Sequence, residues 1–331
     1  MSPIIINIRV ISGVYPRKIL PPAVTNYLHF CLTARAVTIF LPTFPDVDTR
    51  DADAVTARIR EHLWDIDPNG DIKLFEDVYA LAGEMFRGEV GDFRPVDLKY
   101  HDYQHTLQAS LCMAEILAGR HRAQATPSFT WRQCMIGMAA VLMHDSGYIQ
   151  TAADGPGTGA KFTYTHVLRS AAVAASVLPK LGVNLAEIDV VVNAIRCTGA
   201  RSNINSLPFV CDTDELIGMC VTTADYLGQM AADDYPVDLE ILYKELKESD
   251  DYVGTPVENR LFSSASDLIR KTSGFWRHFV LPKFESDFRQ VHQFLAQPYP
   301  HGPNPYIDAV ERNIKKINQR IATLAPESID S

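Results

Sequence analysis

Hydrophobic residues recur along most of this chain at intervals of three and four, the spacing that lines one face of a helix. The pattern sets in after Pro45 and predicts helices over Ala52–Leu63, Asp71–Phe86, His105–Ala118, Arg132–Met143, Thr165–Leu181, Leu185–Ile195, Asp214–Met230, Asp238–Lys247, Glu258–Lys271 and Trp276–Leu295. Glycine and proline punctuate the connections, as in "RGEVGDFRP", "ADGPGTG" and "QPYPHGPNP", and no alternating strand pair intervenes. The expected fold class is mainly α, with one catalytic body over residues 46–298. A last stretch, "YIDAVERNIKKINQRIATLA", spaces Ile307, Val310, Ile314, Ile317, Ile321 and Leu324 at steps of 3, 4, 3, 4 and 3. Such a stripe needs an apolar partner surface. Residues 299–331 therefore read as a linker and an amphipathic C-terminal helix, covered by its own domain or, alternatively, by a second copy in a homodimer. The first 45 residues break the pattern, being apolar and β-branched with Pro3, Pro16, Pro21 and Pro22 and without the order of a signal peptide. They read as an atypical N-terminal arm or as the product of a start codon placed too far upstream.

Composition narrows the class. A chain of 331 residues that is 47% hydrophobic and 21% charged can bury a large core. Its net charge of −9 argues against binding a nucleic-acid polymer, which calls for a basic excess. The most apolar run, "LHFCLTARAVTIFLP", is interrupted by His29 and Arg35 and falls short of the roughly 18 residues a spanning helix needs. A cytoplasmic protein with no membrane partner is expected. Six cysteines, at 31, 112, 134, 197, 211 and 220, form no CxxC pair and read as buried thiols of a reducing compartment.

Candidate chemistry begins in "KYHDYQHTLQASLCMAEIL", where His101 and His105 stand four apart, a spacing that on a helix aims both imidazoles the same way. Further on, "CMIGMAAVLMHDSGY" is apolar for ten residues and then ends in His144–Asp145. A buried helix finishing in an imidazole and a carboxylate is costly unless something compensates the charge. A divalent ion does so, since nitrogen and oxygen donors suit Mn, Fe, Zn or Mg and a carboxylate can bridge two ions. Asp225, in "MCVTTADYLGQM", lies on another helix with a buried face. His105, His144, Asp145 and Asp225 thus make a four-ligand shell drawn from three helices. The glycine-rich loop "ADGPGTGAKFTYTH" runs into a helix whose first turn holds His166 and Arg169, and residues 161–201 carry five basic against two acidic residues, a local +3. Arg169 and Arg196 are accordingly candidates for phosphate contact.

The order His…His-Asp…Asp resembles the HD superfamily of metal-dependent phosphohydrolases, and "YHDYQHT" is similar to the Tyr-His-Asn-x-x-His signature of class I cyclic nucleotide phosphodiesterases, with Asp102 in place of the Asn. That likeness spans roughly residues 95–290 and implies a helical bundle of HD-domain or phosphodiesterase type, with His101 as general acid and His105 as metal ligand. "THVLRSAAVAASVLPKLG" is similar to the HD-GYP segment whose His binds a second ion, which gives that role to His166. Departures accompany this. "NAIRCTGARSN", with Arg196 and Cys197, stands where HD-GYP proteins carry a His-His pair and Gly-Tyr-Pro, and Tyr148 stands at their Lys, which argues against cyclic di-GMP and a third metal. "RKTSGFWRHFVLPKF" resembles the base-binding segment Ser-Gln-x-Gly-Phe-Ile, keeping the stacking Phe as Phe275 and placing Thr272 at the Gln.

These residues together predict an enzyme that uses one or two divalent ions to hydrolyse a small phosphoester, foremost a phosphodiester such as a cyclic nucleotide. Three alternatives stay open: a nucleotidase or nucleoside triphosphohydrolase of the same superfamily, a di-iron oxygenase on the HD scaffold, and a catalytically degenerate nucleotide-binding sensor.

Overall fold

Local sequence starts most of the helices. In the computed structural model, which describes Phe44 and residues 46–323, Asp51 caps α1 (Ala52–Ile66) by accepting from the amides of Asp53 and Ala54. The N-terminal arm, Cys31 and Leu324 lie outside the described residues. α2 (Lys73–Phe86) follows, and α3 (Tyr103–Arg122) begins at Asp102, whose carboxylate accepts from the amide of His105. Capping boxes open α4 (Trp131–Met143), through Thr130 and Gln133, and α6 (Leu185–Cys197), through Asn184 and Glu187. Between them runs α5 (His166–Val177), continued by a 3-10 turn. α7 (Asp212–Met230) and α8 (Tyr235–Val253) complete the central set. Among the described residues the only β-type pairing is a single bridge between Phe93 and Thr151, so the mainly α expectation holds.

α8 runs well beyond the expected Asp238–Lys247 at both ends, and two later helices differ further from the pattern-based expectation. The one predicted from Glu258 begins at Ala265 as α9 (Ala265–Phe275), because Ser264 supplies the cap by accepting from the amide of Asp267. The long helix predicted over Trp276–Leu295 is broken. Trp276–Val280 is a π-helical turn in which the amide of Leu281 reaches five residues back to Trp276 O, just before Pro282, which has no amide to give. α10 (Leu281–Ser286) then ends, and Arg289 and Gln290 adopt φ of 47° and 56° before a 3-10 turn over Val291–Leu295. Hydrophobic spacing alone does not register such a break.

The core forms where α3 crosses α7, with α4 and α6 alongside. The crossing is close at Gly228, where a Cβ would stand 2.7 Å from the amide nitrogen of Ala109, so only glycine lets the two backbones approach this far. The predicted C-terminal helix is α11 (Pro305–Thr323). Its Val310, Ile314 and Ile317 are buried within the same chain, packed against α7, α8 and α9. Asn313 donates to the carbonyls of Met230 and Ala232, and the Trp276 indole donates to Glu311, tying α11 to its neighbours. Of the five described cysteines four are buried free thiols, while Cys211 is exposed. No helix among the described residues is long and apolar enough to cross a membrane.

Candidate metal centre

Three elements bring four side chains to one buried point. His105 sits in the first turn of α3, His144 at the C-terminal cap of α4 with Asp145 directly after it, and Asp225 on α7. His105 Nε2 lies 3.2 Å from His144 Nε2, 3.3 Å from Asp145 Oδ2 and 3.2 Å from Asp225 Oδ1. His144 Nε2 lies 3.5 Å from each of the same two carboxylate oxygens. Two donors about 2.0–2.2 Å from a common ion in a tetrahedral arrangement are about 3.4 Å apart. The five spacings are close to that value; the donor atoms of His105, His144 and Asp145 form one mutually close group suited to hold a metal ion, and Asp225 meets it through both imidazoles.

The tautomers agree with ligation. His144 Nδ1 donates to the carbonyl of Val141 at 2.6 Å, which leaves the lone pair on Nε2, facing the cluster. Asp145 Oδ2 is buried and makes no hydrogen bond, although two imidazole nitrogens stand within ion-pair distance. Electrostatics tell the same story. Burial works to raise the carboxyl of Asp145, yet His144, His105 and His166 hold it well below the usual carboxylate range. Burial opposes ionisation of Asp225 too, but His105 and His144 pull it down to about 2. Burial lowers His105, and Asp145 and Asp225 more than reverse this, pushing it up to about 10. The cluster calls for positive charge at its centre, which is what a divalent ion provides.

A second side opens at the other oxygen of Asp145. His166, the first residue of α5, donates from Nδ1 to Thr163 O at 2.7 Å and places Nε2 3.6 Å from Asp145 Oδ1. Asp145 therefore faces His105 and His144 with one oxygen and His166 with the other. Gly147 permits this, since a Cβ there would fall 2.1 Å from the carbonyl of His166, and its amide donates to the buried Ser170 hydroxyl.

His101 is near but not on the helix. It precedes the Asp102 cap, so the expected i, i+4 alignment with His105 does not apply, and the two rings meet edge to face with centroids 6.1 Å apart. A residue that sequence reasoning missed fixes it instead. Glu245, buried on α8, accepts from His101 Nδ1 at 2.7 Å with one oxygen and from the amides of Tyr100 and Lys99 at 2.9 and 3.2 Å with the other. Its one sequence signal is a carboxylate falling on the helix face that also carries Leu242 and Ser249.

The remaining candidates are placed as follows. Arg169 donates to the carbonyls of Gly147 and Ile149, meets Asp154, and covers the Phe162 ring at 3.6 Å, so its guanidinium holds the glycine-rich loop. Arg196 donates to Asn193 on its own helix. Thr272 is buried and its hydroxyl donates to Leu268 O. Phe275 is 39% exposed, stacks on Phe279, and lies 6.3 Å from Tyr226, the neighbour of Asp225.

No protein-family profile and no curated protein sequence matches the chain. The phosphodiesterase domain of the rhodopsin phosphodiesterase of Salpingoeca rosetta is similar in structure, with a TM-score of 0.52 at 16% identity, covering 87% of this chain and 93% of that one. The chain thus has the fold of a helical phosphodiesterase domain.

Proposed function

We propose that this chain is a metal-dependent phosphohydrolase of the HD type, acting on a small phosphodiester such as a cyclic nucleotide. The observation that carries the reading is the meeting of His105, His144, Asp145 and Asp225 at ligand spacing beside a His101–Glu245 pair. A divalent ion in that cluster supplies Lewis acidity toward a phosphoryl oxygen and lowers the pKa of water. The chain's own groups do the rest. His101, held at Nδ1 by Glu245, presents Nε2 as the proton donor to the departing oxygen. Asp145 joins the two halves of the site, and His166 extends it toward a second ion. Phe275 and Phe279 offer an aromatic face on which a base can stack.

The test is metal analysis of gently purified protein, followed by assay with that metal on bis(p-nitrophenyl) phosphate, cyclic nucleotides, nucleoside monophosphates and nucleoside triphosphates. At least one ion per chain and turnover of diesters are expected. A metal-loaded protein that cleaves only monoesters or triphosphates would move the assignment to a nucleotidase or triphosphohydrolase. Activity that requires oxygen would replace hydrolysis altogether.

A further inference from the structure

Tyr148 follows the His144–Asp145 pair by three residues and is 1% exposed. Its ring centroid lies 4.5 Å from that of His101 with the planes 19° apart, and 4.4 Å from that of His166 with the planes 14° apart. The two imidazoles are 6.3 Å from each other, tilted by 32°. Both imidazoles therefore stack against the same phenol ring, and the three centroids form nearly a right angle at Tyr148.

Each imidazole is also tethered at Nδ1, His101 by Glu245 and His166 by Thr163 O, both at 2.7 Å. A single tether fixes one atom and leaves the ring free to rock about it. A flat surface beneath removes that freedom and settles where Nε2 points. Tyr148 meets both imidazoles through the face of its ring. Its contribution is the ring face, which a lysine at this position could not offer.

We propose that Tyr148 is a positioning residue, a shared platform that holds the proton donor His101 and the ligand His166 in register across the reacting phosphoryl group. The proposal rests on the phosphohydrolase reading for the roles of the two histidines, and its own content is the geometric coupling between them. Two substitutions separate face from bulk. Tyr148→Phe keeps the face and should behave like wild type. Tyr148→Leu keeps apolar volume and loses the face, and Tyr148→Met serves the same purpose if the leucine variant fails to fold.

Phosphodiesters with an alkyl alcohol and with p-nitrophenol as leaving group are compared in each variant. Losing the platform should cost about tenfold or more in kcat where the leaving oxygen needs a proton, and much less for p-nitrophenolate, which does not. Long-range proton–nitrogen NMR correlations of the imidazoles give a readout independent of turnover. His101 and His166 should each show one sharp set of signals in wild type and Tyr148→Phe, and broadened or doubled sets in Tyr148→Leu or Tyr148→Met. Sharp single signals in the face-deleted variant, equal losses on both substrates, or a Tyr148→Phe loss as large as that of Tyr148→Leu would each overturn the proposal. If the wild type cleaves neither ester, the phosphohydrolase reading fails by itself and the imidazole spectra still decide the platform.

Discussion

Individual residues set the terms on which this centre can bind an ion. In the metal-free protein His105, pushed up to about 10 by Asp145 and Asp225, carries a proton through neutral pH. A divalent ion must displace that proton, so binding releases it and affinity rises with pH. The expected slope is about tenfold per pH unit for each proton released, measured as the Kd for Mn²⁺ between roughly pH 6 and pH 8. A flat Kd over that window would place His105 outside the ligand set. Asp145 touches both sides of the site, and Asp145→Ala should arrive without metal and without activity. His101 and Glu245 should behave differently. His101→Ala should retain the ion, lose roughly 10²–10⁴-fold in turnover, and recover much of it on a p-nitrophenyl ester. Base selectivity also belongs at this scale. Because the Thr272 hydroxyl is already bonded to its own helix while Phe275 is open to stacking, discrimination among cyclic AMP, GMP, CMP and UMP should stay within about tenfold in kcat/KM. A hundredfold preference would mean that another residue reads the base.

At the scale of elements, two close approaches place ligands from separate helices beside each other. Gly147 lets the turn after Asp145 lie against the N-terminus of α5, and Gly228 lets α7 lie against α3. Gly147→Ala would force a Cβ to within 2.1 Å of the His166 carbonyl. Relief of that clash requires α5 to move away, carrying His166 with it. The variant should keep the first ion and lose any second, with overpacking destabilising it by about 1–3 kcal/mol. Ion counting by mass spectrometry alongside thermal unfolding checks both halves. Were the metal content and melting temperature unchanged, the turn would be more pliant than its packing implies.

For the molecule as a whole, the centre would work as a clasp once an ion is bound. The ion would join α3, the end of α4, the start of α5 and α7, elements far apart in sequence, in place of the proton that His105 holds between Asp145 and Asp225. Binding to the folded state alone contributes about 2.7 kcal/mol at a hundredfold excess of ion over Kd. In a domain of this size that raises Tm by roughly 4–5 °C. Chelation should reverse the rise and restored metal should reinstate it. An unchanged Tm would show that the ion does not bind across these helices.

Much of the helical architecture was legible because burial imposes a three-and-four spacing that survives in sequence, whereas the caps that fix helix starts, such as Asp51, Thr130 and Asn184, entered only with the structure. His144–Asp145 stood out for a related reason, as a charged pair at the end of an apolar helix that packing alone does not explain. The tertiary structure decided what depends on approach between distant segments. It set His101 ahead of the Asp102 cap with its ring edge-on to His105, supplied Glu245 from more than a hundred residues away, and broke the helix after Phe275 at a π turn before Pro282. It also turned Tyr148 from a substitution in a motif into a surface shared by two imidazoles. Sequence periodicity records which face of an element is buried. Which side chains meet across that buried space is fixed only when the helices dock, because hydrogen bonds and ring contacts act over a few ångströms and have no counterpart in spacing along the chain.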